Sequence, residues 1–306
     1  MTGLIFPVTV LYLYLRPVKG RWGSYKKYLA ILVLGYLGYQ IKPQTIFVVI
    51  AIALWELVCF RKRFEAKHLK RYLMFLLTVV LCVGGLKTGL NAIYNKEGFV
   101  FQKDKAFGMT HFFMMGLNPE TMGVYSEEDV LASKECETVE ERTRMNLEVS
   151  GQRLKAYGPV GYLRFLSKKM LTNYNDGTFA WSMEGNFYMK LRDPKSGIAQ
   201  FLRNIYYVDG SYYKWFQLVV QGFWLAVLAG CFAAGCFRVK NDTYNKDYVI
   251  VLMLSIVGLT VFELLFEARA RYLFTYVPVY IITACLGAVR IKSHCRNLQA
   301  LSKRFG

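Results

Sequence analysis

The sequence predicts an all-α integral membrane protein with about seven transmembrane helices and a helical extracytoplasmic domain inserted between helices four and five. Three observations predict it. Residues 215–237 carry no charged side chain and residues 248–266 carry one, Glu263, so two runs near bilayer-crossing length are almost wholly apolar. Lysine and arginine gather in short blocks between apolar runs. One long polar stretch, 91–213, separates an early group of apolar runs from a late one.

Composition agrees with this class. The chain has 306 residues, 54% of them hydrophobic and 16% aromatic, with a mean hydropathy of +0.24. A net charge of +18 invites comparison with nucleic-acid binders. Its confinement to short links is instead the positive-inside pattern, and no nucleic-acid partner is expected. The seven cysteines form no framework. Cys59, Cys82, Cys231, Cys236 and Cys285 fall in apolar runs, Cys295 in the basic tail, and Cys136 stands alone in the polar stretch. His68, His111 and His294 have no ligand spacing, so no metal is expected. Dinucleotide, Walker and nucleophile-elbow motifs do not occur. The first apolar run is followed by Arg16 and further basic residues rather than by a cleavage site, so no cleavable signal peptide is expected.

Segment one, residues 2–15, is short for a span and implies local thinning of the bilayer or a start inside a larger pattern. Segment two, 28–41, turns at Lys42-Pro43 into segment three, 44–60, because proline breaks the helix there. Segment four covers 72–90, segment five 215–237, segment six 248–266 and segment seven 272–289, where Pro278 is expected to kink the helix. The blocks after segments one, three, five and seven hold five, six, three and five basic residues, against one and two in the links after segments two and six. That asymmetry places the rich blocks and the C-terminus in the cytoplasm and the 91–213 stretch outside. The domain division is then 1–90 for helices one to four, 91–213 for the extracytoplasmic domain, and 214–306 for helices five to seven with the basic tail.

Within 91–213, Ser126 followed by Glu127, Glu128 and Asp129 reads as a helix cap with acids in the first turn. The helix it opens is expected to run to about Tyr157 and to end at Gly158-Pro159, its acidic part (127–141) a solvated face. A second helix, 160–171, alternates Tyr162, Leu163, Phe165, Leu166 and Met170 with Arg164, Lys168 and Lys169, a pattern that lies flat in a headgroup layer. The apolar stretch 111–117 is too short to span and is expected to pack under the domain or dip into the interface.

Chemistry concentrates at residues 262–272. Glu263 and Glu267 are four apart and share a face if the helix persists. Arg269 and Arg271 offer forked donors to a phosphate or diphosphate; equally, a Glu–Arg pair would stitch two helices together. Lys42 is either a second phosphate contact or a snorkelling lysine. His111 is a structural histidine or a base. Asp176, in Asn175-Asp176-Gly177-Thr178, belongs to a turn or to an acid–base or sugar site.

Four stretches carry a family resemblance. They are Gly38-Tyr39-Gln40-Ile41-Lys42-Pro43-Gln44-Thr45; His111-Phe112-Phe113-Met114-Met115-Gly116-Leu117-Asn118; residues 161–169 with Asn175-Asp176-Gly177-Thr178-Phe179; and Glu267-Ala268-Arg269-Ala270-Arg271-Tyr272-Leu273-Phe274. In this order they resemble the GT-C-type membrane glycosyltransferases of bacteria, relatives of the protein mannosyltransferase and aminoarabinose transferase group, over nearly the whole chain. The resemblance implies transfer of a sugar from a polyprenyl-phosphate carrier to an extracytoplasmic cell-envelope acceptor, at the plasma membrane, with the lipid-linked sugar as donor and no other cofactor. A carboxylate would orient or deprotonate the acceptor, and Arg269, Arg271 and Lys42 would hold the leaving phosphate. Glu267, His111 and Asp176 complete the substrate-binding candidates. That family places its main acid in a first outer loop, whereas the link between segments two and three here carries no acid. The resemblance therefore implies the C-terminal portion of the pattern, inactive alone, with its base unassigned and with an N-terminal half or another membrane subunit as partner. The alternative is a non-catalytic polytopic subunit or a lipid or saccharide carrier; a carrier should show an internal repeat, and none is visible.

Overall fold

A computed structural model describes residues 2–17, 21–63, 66–99, 106–181, 190–237 and 246–305, and every described element is helical. The α-helices, in chain order, are α1 (Ile5–Leu15), α2 (Arg21–Ile41), α3 (Ile46–Arg63), α4 (Ala66–Lys96), α5 (Met109–Gly116), α6 (Glu127–Glu135), α7 (Val139–Tyr174), α8 (Gly197–Tyr206), α9 (Tyr213–Cys236), α10 (Lys246–Leu265), α11 (Ala270–Phe274) and α12 (Val277–Phe305). Two stretches, Tyr213–Cys236 and Tyr248–Leu265, are long and apolar enough to cross a membrane; Ile5–Leu15 and Pro43–Cys59 are shorter apolar helices.

The chain forms two compact units. One comprises Met1–Gln102, Gly230–Leu259 and Thr275–Gly306, the other Lys103–Ala229 and Thr260–Phe274. In the first unit α1 packs on α2 and α3, and α2 packs on α3 and α4. Val10, Leu11, Ile31, Leu32, Val48 and Ile52 form this core. The break at Lys42-Pro43 is as expected: α2 stops at Ile41, Lys42 is extended, and Pro43 opens a 3₁₀ turn, Pro43–Thr45, that leads into α3. Glu56, an acid inside an apolar helix, accepts hydrogen bonds from the hydroxyls of Tyr14 (3.1 Å) and Tyr28 (2.7 Å). Arg290 is buried and donates to the carbonyl of Ala234 in the last turn of α9.

The second unit differs from the sequence reading in instructive ways. Ser126 does cap α6, accepting from the N–H of Asp129 at 3.3 Å. That helix ends at Glu135, because Cys136 is extended and Thr138 caps a new helix by accepting from the N–H of Glu141 at 3.1 Å. One expected helix is thus two. Gly158, with φ +58° and ψ 175°, breaks α7 internally ahead of Pro159, so the kink falls where Gly-Pro predicts it. Pro278 does not kink a helix: it is the second residue of α12, where proline's missing N–H costs nothing. The 111–117 stretch becomes α5, with His111, Met114, Met115, Gly116 and Leu117 buried.

A lysine cradle at the end of a candidate span

The site grows from a general problem: a helix leaves its last carbonyls without intrahelical donors, and its C-terminus carries partial negative charge. In the second unit, α5 and α10 both end against Lys169 of α7. The Lys169 ammonium donates to the carbonyls of Gly116 (2.6 Å), Leu264 (3.0 Å) and Phe266 (2.5 Å). Three donors meet three acceptors, which is the full capacity of an ammonium. The residue is 0% exposed. Burial brings its pKa down to about 7, against the opposing pull of Glu263 and Glu267. Its stem passes near the Phe165 ring, with Nζ 5.9 Å from the centroid.

Two glycines make the cradle possible. A Cβ on Gly116 would sit 2.5 Å from the carbonyl carbon of Phe266. Gly123 has φ +74°, and a Cβ there would lie 2.7 Å from Cε of Lys169. The Gly123 carbonyl in turn accepts the N–H of Ala268 at 2.7 Å, which ties down the turn after α10.

That turn holds the charged residues. Glu267 receives Nε of Arg269 on one oxygen at 2.6 Å and the hydroxyl of Tyr272 on the other at 3.1 Å. The Arg269 guanidinium carbon lies 5.4 Å from the Tyr125 ring centroid. Arg271 is exposed on α11, its guanidinium carbon 5.9 Å from the Tyr272 ring. Glu263 is 1% exposed, and neither of its carboxylate oxygens has a hydrogen-bond partner among the described residues. The expected common face for Glu263 and Glu267 does not form, because α10 stops at Leu265 and Glu267 lies beyond it.

Three candidates remain. His111 is buried in α5, with Nδ1 2.7 Å from Ser133 Oγ and its ring stacked on Phe107 at 4.2 Å. Burial lowers its pKa, and Asp129 and Glu267 partly oppose the shift. Asp176 organises a turn: Oδ1 accepts from the N–H and hydroxyl of Thr178 (2.8 and 2.6 Å), and Oδ2 accepts from the N–H of Ala180 at 2.7 Å. Phe179 and Ala180 both have positive φ there. Lys42 belongs to the other compact unit, half-buried between α2 and the Pro43–Thr45 turn.

Sequence reasoning missed two features of this unit. The sequence alternation puts Lys169 in the polar stripe of an amphipathic helix. Arg164 and Lys168 are exposed as the pattern expects, but Lys169 is buried with Phe165 and Asn173 at four-residue spacing, while Leu163 is 65% exposed. Asp129, expected on a solvated face, is buried and receives both terminal nitrogens of Arg153 at 3.0 and 2.7 Å, together with the Asn118 amide at 3.0 Å. The signal available was spacing alone. Lys169 stands four residues from both Phe165 and Asn173, which a helical reading puts on one side.

Among the described residues no cluster of histidine, cysteine or carboxylate side chains is arranged to hold a metal ion. No curated protein and no solved structure matches the chain. A family model does: that of the conserved hypothetical integral membrane proteins matches residues 4–291, and the chain belongs to that family.

Proposed function

We propose that this integral membrane protein is a glycosyltransferase, or part of one, that moves a sugar from a polyprenyl-phosphate carrier to a cell-envelope acceptor. The observation that carries this reading is the braced turn at the end of α10. It sets Arg269 and Arg271 at the end of a helix long enough to cross a membrane. A lipid-borne phosphate presents its charge at that depth, and guanidinium groups match its oxygens with paired donors. In the reaction the bond between the anomeric carbon and the phosphate oxygen breaks with its electron pair leaving on phosphate. The acceptor oxygen forms the new bond and loses its proton to a base. Arg271, exposed beside the turn, takes the leaving phosphate; no base is assigned.

The reading includes a topology: about seven spans, 91–213 outside, the C-terminus cytoplasmic, in a bacterial plasma membrane. The basic-block asymmetry supports it. A second reading, a non-catalytic membrane subunit, is favoured by one specific observation. Glu267, Asp129 and Asp176 are each committed to hydrogen bonds that hold the fold, and Glu263 is buried.

Polyprenyl-phosphate binding by purified protein in nanodiscs tests the first reading. Arg271→Ala should weaken binding at least tenfold, about 1.4 kcal/mol, without lowering the unfolding temperature. Arg271→Lys, which keeps the charge and loses the fork, should fall between. Wild-type affinity in Arg271→Ala leaves the subunit reading standing.

A further inference from the structure

We infer that α8 is an interfacial anchor, lying along the boundary between acyl chains and headgroups with Ile198, Phe201 and Ile205 in contact with lipid. The inference rests on the chain being an integral membrane protein and is independent of any transferase activity.

The pattern of α8 comes first. Ile198, Phe201, Leu202, Ile205 and Tyr206 fall on one side of a 3.6-residue helix, and Gln200, Arg203 and Asn204 on the other. Such a stripe ordinarily faces a protein core. Here no residue of the helix is buried: Ile198 is 75% exposed and Phe201 56%. The helix has ten residues, about 15 Å, half of what a span needs, so it cannot cross. An apolar side of this kind beside a span fits the interface layer.

Its placement supplies the occupant. The helix is fixed to the start of α9, itself a candidate span, by a tight corner. The N–H of Tyr212 donates to the Asn204 carbonyl at 2.9 Å, and the N–H of Tyr213 to the Gly210 carbonyl at 3.1 Å. A Cβ at Gly210 would strike the Asn204 carbonyl, so only glycine lets the chain double back this closely. The Tyr206 ring meets Phe216 edge-on at 4.9 Å and Trp181 at 6.0 Å. Immediately after the corner, Trp215 and Phe223 of α9 are 70% and 71% exposed, the outward aromatic and apolar surface of a lipid-facing helix. The Phe201 ring lies 6.5 Å from that of Tyr212, which is 53% exposed just before α9, so the apolar side of α8 runs on toward that surface. Exposed Lys190, Arg192 and Lys195 precede the helix, and Lys214 follows it, where headgroup phosphates would meet them.

The test uses the full-length chain in proteoliposomes. Spin labels at residues 198, 200, 201, 203, 204 and 205, one per variant and each in a cysteine-free background, report accessibility to oxygen and to a water-soluble nickel chelate. Oxygen should dominate at 198, 201 and 205, and nickel at 200, 203 and 204, with the helical period. Uniformly high nickel accessibility overturns the proposal in favour of a solvated helix. Low accessibility to both reagents at 198 and 201 overturns it in favour of a protein partner, and dipolar broadening between labels would then identify a second copy. A measurement on unmodified protein removes any dependence on variant folding. A phospholipid with a photoreactive diazirine just below the headgroup should label the tryptic peptide 196–203; no adduct there overturns the proposal.

Discussion

Replacing Lys169 with methionine isolates what the cradle does. The side chain keeps its length and most of its volume, so packing against Phe165 survives. What disappears is the donor to the carbonyls of Gly116, Leu264 and Phe266, and a positive charge that Glu263 and Glu267 favour. A buried carbonyl left without a donor costs about 1–3 kcal/mol. The three losses share one donor atom and do not add, so we expect Lys169→Met to destabilise by about 1–3 kcal/mol in total. The assay is equilibrium unfolding in mixed micelles, followed by circular dichroism. The cycle with Glu263→Gln separates the two contributions. If Lys169 offsets the carboxylate, the double variant recovers about 1–2 kcal/mol relative to Lys169→Met, because the uncompensated acid has gone. A loss below about 1 kcal/mol in the single variant would refute the idea that three buried carbonyls depend on this ammonium.

Further expectations follow from the same geometry. The folded Lys169 releases its proton near pH 7, whereas an unfolded lysine holds it to about pH 10. The unfolded state therefore binds more protons between those values. Stability from this site should rise as pH increases from 7 to 10, a slope that Lys169→Met removes. Arg153→Ala, which strands the buried Asp129, should cost about 3–5 kcal/mol in the same unfolding assay, while Ser126→Ala, which removes a helix cap and one acceptor of the Asn118 amide, should cost about 1–2 kcal/mol. For topology, an impermeant maleimide applied to intact cells should label Cys136 and not Cys295; labelling of Cys295 alone would invert the orientation.

Much of the local structure was legible in the chain because its causes are local. Lys42-Pro43 ends α2, Ser126 starts α6 and Gly158-Pro159 breaks α7, each through the backbone chemistry of one or two residues. The turn around Asp176 is similar, since its carboxylate bonds only to the next few residues. The cap at Thr138 is hidden in the sequence because acids precede and follow it and the pattern looks continuous. The burial of Lys169 was beyond local reading. Its partners lie 53, 95 and 97 residues away and are backbone carbonyls, which no side-chain pattern marks. Glu56 is the opposite case: an acid in an apolar run was in plain view, while its partners, Tyr14 and Tyr28, look like any other aromatic residues of such runs.

One feature of α7 bears on how the second unit comes apart. The helix α5 has eight residues, too few to hold together in isolation. Its final carbonyls are received by both limbs of the kinked α7: Met114 by Arg153 at 2.7 Å and Leu117 by Tyr157 at 3.0 Å before the kink, Gly116 by Lys169 after it. The bent helix thus works as a clasp around a short rod, and the angle of the bend is the condition for closing it. Straightening α7 would withdraw one jaw or the other, so α5 and both limbs should open as a single cooperative block. In amide hydrogen exchange, the last turn of α5 and the flanks of Gly158 should then share one opening free energy, whatever disturbs them first.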